Sequence, residues 1–371
     1  MHVHTSPAMH VGLIIYGDLE TISGGYLYDR KLVEYLRGQG DRVEIISLPW
    51  RNYLRHISDN FSASLLKQLT SLPIDVLVQD ELNHPSLFLL NGSLAQRCAY
   101  PLVSIVHHLR SSELRPAWQN RLYVCPERRY LSSVDTFIFN SRTTKQAVEH
   151  LLHKSVPGMI AYPSGDRFSP EITAEEIKRR AWRPGPLQLL FLGNIIPRKG
   201  LHVLFEALGR LPKQVWELTV IGRTDVDPGY TRRVKSQAAS SGILERVHFS
   251  GPLGDDELAA ALAGHHLLVV PSSYEGYGIV YLEGMGFGLP SVGTQSGAAG
   301  EIITHDQDGI LIPPGDAVYL ATIIRELAQD RQRLQAMSLS ARRRFERQPT
   351  WEQSMRRVRS FLKSVSSSQP T

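Results

Sequence analysis

Short apolar runs bounded by turn-forming residues recur along this chain, and the intervals between them carry apolar residues at helical spacing. Such alternation predicts βα units around parallel sheets buried on both faces. Residues 11–16, 42–48, 76–79, 102–106 and 136–140 read as the strands of a first sheet. A second series follows at 187–192, 216–221, 247–249, 267–270, 290–293 and 310–312. Two such series predict an α/β protein of two doubly wound domains. The stretch AYPSGDRFSP at 161–170, rich in Pro, Gly and Ser, is the expected joint, with a hinge near Gly165. It separates domains at 9–165 and 166–345. Residues 1–8 are polar and precede a second MHV at Met9, so they are expected to be a disordered extension. The SVSSSQPT tail is expected to be disordered as well.

Composition fits this picture and narrows the partners. A 371-residue chain with 42% hydrophobic and 21% charged residues is long enough for two packed cores. Its net charge of +5 is too small a bias over this length to argue for nucleic acid. Basic residues do gather locally, nine against four acids over 95–155 and eleven against four over 325–363. Those runs leave an anionic membrane surface or substrate open beside simple solvated faces. Cys98 and Cys125 form no C-x-x-C pair, which suits a reducing compartment and offers no zinc site. The longest apolar runs are strand-sized, so neither a membrane-spanning helix nor a secretory signal is expected.

In open α/β sheets ligands bind beyond the carboxyl ends of the strands, so the loops there carry the chemistry. The segment SYEGYGIVYLEGMGFGLPSVGT at 273–294 contains such a loop. It passes Glu275, Gly276, Tyr277 and Gly278 and enters a helix at Ile279, which Gly288 and Pro290 stop. On one continuous helix two acids at this spacing would lie ~12 Å apart. The break at the glycines lets Glu275 and Glu283 converge on different ends of one extended ligand. Backbone N–H groups of the first helical turn, unobstructed at Gly276 and Gly278, make an oxygen-binding rim, and carboxylates accept from hydroxyls. Phosphate and sugar together suit this loop better than either alone. Gly284 and Gly286 inside the helix each cost ~1 kcal/mol relative to Ala, so something must approach closely there.

With the following SGAAGE at 296–301, the segment resembles the donor site of retaining glycosyltransferases of the GT4 family. That family has the GT-B architecture, two Rossmann-like domains facing a central cleft. FLGNIIPRKGLHVLFEAL at 191–208 is similar to the segment whose basic pair binds the donor diphosphate. ISGGYLYDRKLVEYLRGQGDRVEIIS at 22–47 resembles the amino-terminal glycine loop, helix and second strand, and PLVSIVHH at 101–108 the strand that ends in an active-site histidine. The likeness covers most of residues 9–314, with no diagnostic pattern over 49–91, the acceptor-binding region. It implies that Glu283 holds the ribose hydroxyls, Glu275 contacts the transferred sugar, and Lys199 lies on the diphosphate. Amides of Gly276, Tyr277, Gly278 and Ile279 would meet sugar and phosphate. Asn194 stands where the family usually has arginine, and Arg198 or Arg223 would replace it. His107 would lie near the sugar, with a structural histidine as the alternative reading. Gly24 and Gly25 would bring amides to the diphosphate from the first domain, or simply turn the chain into a helix, and Ser250 and Gly251 would contact the base. Residues 346–371 would form a helix packing back across the domains, then the tail.

The implied reaction is hexose transfer, with retention, from a nucleoside diphosphate sugar (UDP or GDP) to a glycan, lipid-linked or small-molecule acceptor. His107, Lys199 and Glu275 are the catalytic candidates. Lys199, Arg198 and the loop amides would meet charge developing on the departing diphosphate, so neither a cofactor nor a metal is obligatory. Asp225-Val226-Asp227 has a spacing that holds a metal in other glycosyltransferases, but Pro228 and Gly229 follow it, and it reads as a turn into a helix. A nicotinamide oxidoreductase is disfavoured because G-x-G-x-x-G spacing is missing from this loop. A sugar-nucleotide epimerase of similar architecture and a non-catalytic nucleotide-sugar-binding homologue stand as alternatives. Trp50, Tyr53, Trp118 and Tyr123, interleaved with Arg51, Arg55, Arg115 and Arg121, read either as a membrane or acceptor face or as satellite core. The expected place is the cytoplasm, with peripheral contact at the inner face of the membrane left open.

Overall fold

The computed structural model describes residues 8–113 and 116–367, so the expected disorder of residues 1–7 and of 368–371 lies outside the described residues. The chain divides into two compact units, Met1–Pro163 with Trp351–Thr371, and Ser164–Thr350. The first holds β1 (His10–Tyr16), β2 (Arg42–Leu48), β3 (Val76–Asp80), β4 (Leu102–Val106), β5 (Thr136–Phe139) and β6 (Gly158–Ile160). They form one parallel sheet in the order β2-β1-β3-β4-β5-β6. The second holds β7 (Leu187–Leu192), β8 (Trp216–Ile221), β9 (Val247–Gly251), β10 (Leu267–Val269), β11 (Ser291–Thr294) and β12 (Gly309–Ile312). Its order is β12-β11-β10-β7-β8-β9, again parallel.

The central strands β3, β4, β5, β10 and β11 are buried along their whole length, which is why they read as unbroken runs with little alternation. The edge strand β2 keeps Arg42 and Ser47 exposed and buries Ile46 and Leu48. β6 is the strand that the apolar pattern misses. It is three residues long, none of them fully buried, and it begins at a glycine after Pro157, so its residues carry a turn signature.

Each unit has its own core. Tyr16, Leu77, Val106, Tyr130, Phe137 and Phe139 belong to the first, and Leu189, Phe191, Phe205, Trp216, Leu268 and Leu282 are buried in the second. The terminal helix Trp351–Ser367 is part of the first unit and packs against the helix Gly24–Gly38. Arg359 Nε lies 2.6 Å from Asp41 Oδ2, Ser354 donates to the Tyr162 carbonyl at 2.7 Å, and Trp351 sits edge-on to Tyr28. This helix runs to Ser367 and so takes in the first part of SVSSSQPT, contrary to the expected disorder there. Its buried stripe, Trp351, Met355, Val358 and Leu362, explains its persistence.

Candidate functional site

In the second sheet the winding direction reverses between β7 and β10, and the loops after these two strands meet at the carboxyl edge. Ser273 N donates to the Arg198 carbonyl at 2.8 Å, and Arg198 Nη1 donates to the Tyr274 carbonyl at 3.0 Å. Gly200 joins the first loop to the helix Leu201–Gly209 at φ +74°, and a Cβ there would run into the Pro271 carbonyl oxygen. A side chain at 200 would therefore push the two loops apart.

Arg198, Lys199 and Glu275 come together at this junction. Lys199 Nζ lies 2.8 Å from Glu275 Oε2, Arg198 Nη1 lies 3.8 Å from Oε1, and Ser272 Oγ donates to Oε2 at 3.0 Å. Burial opposes the charge on Glu275, but the two cations and Ser272 outweigh it and hold the carboxyl at about 2. Burial also lowers the Lys199 pKa, and Glu275 restores part of that loss. The lysine is thus a desolvated cation facing a single carboxylate, which strengthens its pull on any anion that enters. The backbone of Glu275 is held too. It forms a parallel bridge with Gly297, and Ala298 N donates to its carbonyl at 2.8 Å, so SGAAGE is the strap that fixes this acid.

The helix Ile279–Gly286 begins after Gly278, as the glycine break predicts. The close approaches expected at its internal glycines are present. Gly284 faces Leu268 and Leu289, and Gly286 faces Pro170 and the Phe345 ring. Glu283 does not share a partner with Glu275. Its Oε1 pairs with Arg167 Nε at 2.6 Å, and that guanidinium also lies over the Phe168 ring at 4.3 Å. Burial raises the Glu283 carboxyl while Arg167 draws it back. Sequence reasoning misses Arg167, because the 161–170 stretch reads only as a joint. Its one available signal is a cation beside an aromatic inside that stretch.

The remaining candidates of this unit are less concentrated. Asn194 lies in the β7 loop, its carbonyl accepting from Ile196 N at 2.9 Å. Arg223 is engaged by Asp225 through two bonds of 3.0 and 2.8 Å instead of turning to Glu275. Asp227 caps the helix Pro228–Ser240 by accepting from Tyr230 N at 2.8 Å, so Asp225-Val226-Asp227 is a turn and helix start as expected. Ser250 and Gly251 end β9, and Gly251 O accepts from Gly222 N at 3.0 Å.

In the first sheet the winding reverses between β1 and β3. Ser23 caps the helix that opens with Gly24 and Gly25, its hydroxyl accepting from Tyr26 N at 3.3 Å. His107 follows β4, with its carbonyl held by Asn140 Nδ2 at 2.7 Å. A Cβ at Gly25 would come within 3.1 Å of the imidazole, so the glycine and the histidine are neighbours. His107 Nε2 lies 3.4 Å from Asp29 Oδ1, and Asp80 closes a cluster that sequence reasoning misses. Its signal is an acid, Asp29, inside the apolar stripe of a helix. The four aromatics divide. Trp50 and Trp118 are more than half exposed, whereas Tyr53 and Tyr123 meet edge-on at 4.8 Å beneath the Arg110 guanidinium. Arg115 lies outside the described residues.

Comparison with known proteins shows what this geometry is similar to. Residues 173–344 match the model described as "Glycosyl transferases group 1". This stretch of the chain is thus similar to group 1 glycosyl transferases. The D-inositol 3-phosphate glycosyltransferase of Xylanimonas cellulosilytica is 28% identical over 271 residues, which covers 68% of this chain and 64% of that protein. The match thus spans just under two-thirds of that relative's length. Among solved structures, sucrose-phosphate synthase from Thermosynechococcus elongatus superposes with a TM-score of 0.83 over 96% of this chain and 99% of its own, at 18% identity. HepE of Anabaena, solved with UDP and glucose, gives 0.72 over 96% of this chain and 100% of its own, at 19% identity.

The fold is therefore GT-B, with two Rossmann-like units, and the GT4-type resemblance of the sequence is met. These likenesses favour a transferase over the epimerase alternative. The matched residues include Arg198, Lys199, Glu275 and Glu283, while Arg167 lies just ahead of them. No helix among the described residues is long and apolar enough to cross a membrane.

Proposed function

We propose that this protein is a retaining glycosyltransferase that moves a hexose from a nucleoside diphosphate sugar to a glycan, lipid-linked or small-molecule acceptor. The observation that carries the proposal is the Lys199–Glu275 pair at the switch point of a sheet within the residues similar to group 1 glycosyl transferases. A half-buried cation with one carboxylate partner and a neighbouring arginine is suited to a diphosphate, and the carboxylate it releases is suited to sugar hydroxyls. Lys199 and Arg198 are assigned to the diphosphate, Glu275 to the hexose, Glu283 to the ribose, and the 276–279 backbone to sugar and phosphate. Ser250 and Gly251 are assigned to the base. In the first unit His107 is assigned to the sugar and the Gly24 and Gly25 amides to the diphosphate. The UDP bound in HepE supports a nucleoside diphosphate donor.

On this reading the fixed cations stabilise the leaving diphosphate as its charge develops, the diphosphate takes the acceptor's proton, and no metal is required. Trp50, Leu54, Phe61, Trp118 and Leu122 expose apolar side chains in the first unit, with Arg55 and Arg121 close by in sequence. We assign them to peripheral contact with an anionic membrane at its cytoplasmic face.

The test uses purified protein, UDP- and GDP-hexoses, and EDTA. Slow donor hydrolysis, and transfer with retention once an acceptor is supplied, are expected to survive chelation. Lys199→Ala and Glu283→Ala are expected to lose donor binding and turnover. Variants that bind and turn over donor like the parent would show the site assignment to be wrong, and an isomerised sugar nucleotide would replace transferase with epimerase. Co-sedimentation with anionic but not zwitterionic vesicles checks the membrane assignment.

A further inference from the structure

The first unit buries a charge that the proposed transfer leaves unexplained. Asp29, in the second turn of the helix Gly24–Gly38, has no solvent exposure and lies on the side that buries Tyr26, Leu32, Val33 and Leu36. Neither of its carboxylate oxygens accepts a hydrogen bond among the described residues. A buried carboxylate without donors is costly unless a cation faces it. Two groups share its site. One is His107, with Nε2 at 3.4 Å from Oδ1, and the other is Asp80, whose Oδ1 already accepts from Leu82 N at 2.9 Å. Of these, only the histidine can carry positive charge.

The imidazole is seated from several sides. Gly25 lies against the ring, Tyr28 meets it edge-on with centroids 5.3 Å apart, and Asn140 holds the main-chain carbonyl. Nε2 is enclosed and makes no hydrogen bond of normal geometry, yet the side chain keeps 14% exposure. The opposite edge of the ring is therefore the open one.

We propose that Asp29 is the positioning residue of His107: its carboxylate takes the Nε2–H, fixes the ring's orientation and charge, and leaves Nδ1–H as the donor offered to the ligand. The proposal rests on the reading of His107 as a sugar-facing residue. The charged groups that face the ring are Asp29 from the helix and Asp80 and Glu81 from the end of β3, all of them acids. Burial works to lower the His107 pKa, but Asp29, Asp80 and Glu81 overcome it and raise the pKa to about 9. Burial and the nearby Asp29 push Asp80 up to about 7. His107 Nε2 and the Asp29 carboxyl group thus face each other at 3.4 Å inside a cluster of acids.

The test has an arm that does not depend on turnover. Isotope-labelled histidine in the full chain is followed by NMR from pH 5 to 10 without substrate, and His107→Gln identifies the signal. An imidazolium at pH 7.5 is expected in the parent, and Asp29→Asn should move its midpoint down by about one pH unit or more. A neutral ring in the parent at pH 7.5, or an unmoved midpoint in the variant, overturns the proposal. If Asp29→Asn fails to fold by circular dichroism, the protonation state of the parent decides alone.

The kinetic arm measures donor hydrolysis or transfer. Asp29→Asn should lower kcat by roughly tenfold or more with KM little changed, and move the alkaline limb of the pH profile to lower pH. In a His107→Gln background the same change should add no loss. An equal loss in both backgrounds makes Asp29 purely structural and overturns the proposal. Elemental analysis guards one further point, since a stoichiometric divalent cation lost in Asp29→Asn would mean that an ion, not His107, faces the carboxylate. A parent without any transferase activity sinks the proposed function while the NMR arm still judges the pairing.

Discussion

Glu275 and Glu81 are both buried acids at the carboxyl edge of a parallel sheet, one in each unit, and they end in opposite protonation states. Glu275 meets Lys199 and Arg198, which outweigh burial and keep it ionised far below neutral pH. Glu81 meets other acids. Burial and Asp80 raise it to about 8, and burial and Glu81 raise Glu127 to the same level. The histidine between them has Nδ1 3.0 Å from Glu81 Oε1 but gives no counter-charge, because burial lowers His84 to about 4; its ring nitrogens bond to the Glu81 carbonyl and the Tyr53 hydroxyl at 3.1 Å each. Glu127 accepts from Arg110 N at 2.7 Å and so holds the turn that follows His107 and His108. The second unit thus carries a permanent charge pattern suited to an anionic ligand. The first carries groups that exchange protons near neutral pH.

The sharpest way to break this contrast is Glu275→Gln, which leaves two cations without their acid. Transfer is expected to fall by about 100-fold in a donor-turnover assay. Its effect on stability has a definite sign. The folded pKa lies below the unfolded one, so the carboxylate stabilises the protein above about pH 4.5, and that contribution is lost as pH falls towards 2. The gap in unfolding free energy between parent and variant should therefore close over that interval in urea titrations. A gap independent of pH would deny the ion pair its assigned weight.

Arg167→Ala should make the second unit behave like the first. Glu283 would be buried without its cation, at a cost of about 2 kcal/mol in urea unfolding, and its carboxyl should move further up. Unchanged stability would mean that Glu283 is already protonated in the parent. The converse experiment is Glu81→Gln. With a folded pKa above the unfolded one, Glu81 favours folding at low pH, and its contribution is lost as pH rises through about 8. The parent's Tm should fall between about pH 4.5 and 8, and the variant's should fall about 3 °C less over that interval. The smallest effect belongs to Arg223→Ala, because an exposed pair with Asp225 adds little. Melting temperature and donor affinity are both expected to stay within error, and a large loss of affinity would place Arg223 at the donor site.

Much of this is legible in the sequence. The alternation of apolar runs locates the strands apart from β6, whose glycine start and short length look like a turn. The glycines of SYEGYG mark the break that separates Glu275 from Glu283, and the glycines inside the following helix announce contacts with Leu268 and Phe345. PRKG places two cations at the end of a strand, where such sheets bind ligands. The partnerships are less legible. Nothing in spacing or composition pairs Glu283 with Arg167, or Asp29 with His107, because each pair joins elements that meet only when the chain is wound.

From the sequence alone come the two doubly wound units, their switch-point loops and the residue types that line them, since periodicity and turn chemistry are local properties. Which acids are charged is decided only by the tertiary structure. Glu275 and Glu81 are the same residue type, similarly buried, and their pKa values diverge because one lies 2.8 Å from a lysine and the other beside acids. Desolvation and Coulomb energy depend on distances in space, and those distances are set by the packing of strands and loops far apart along the chain.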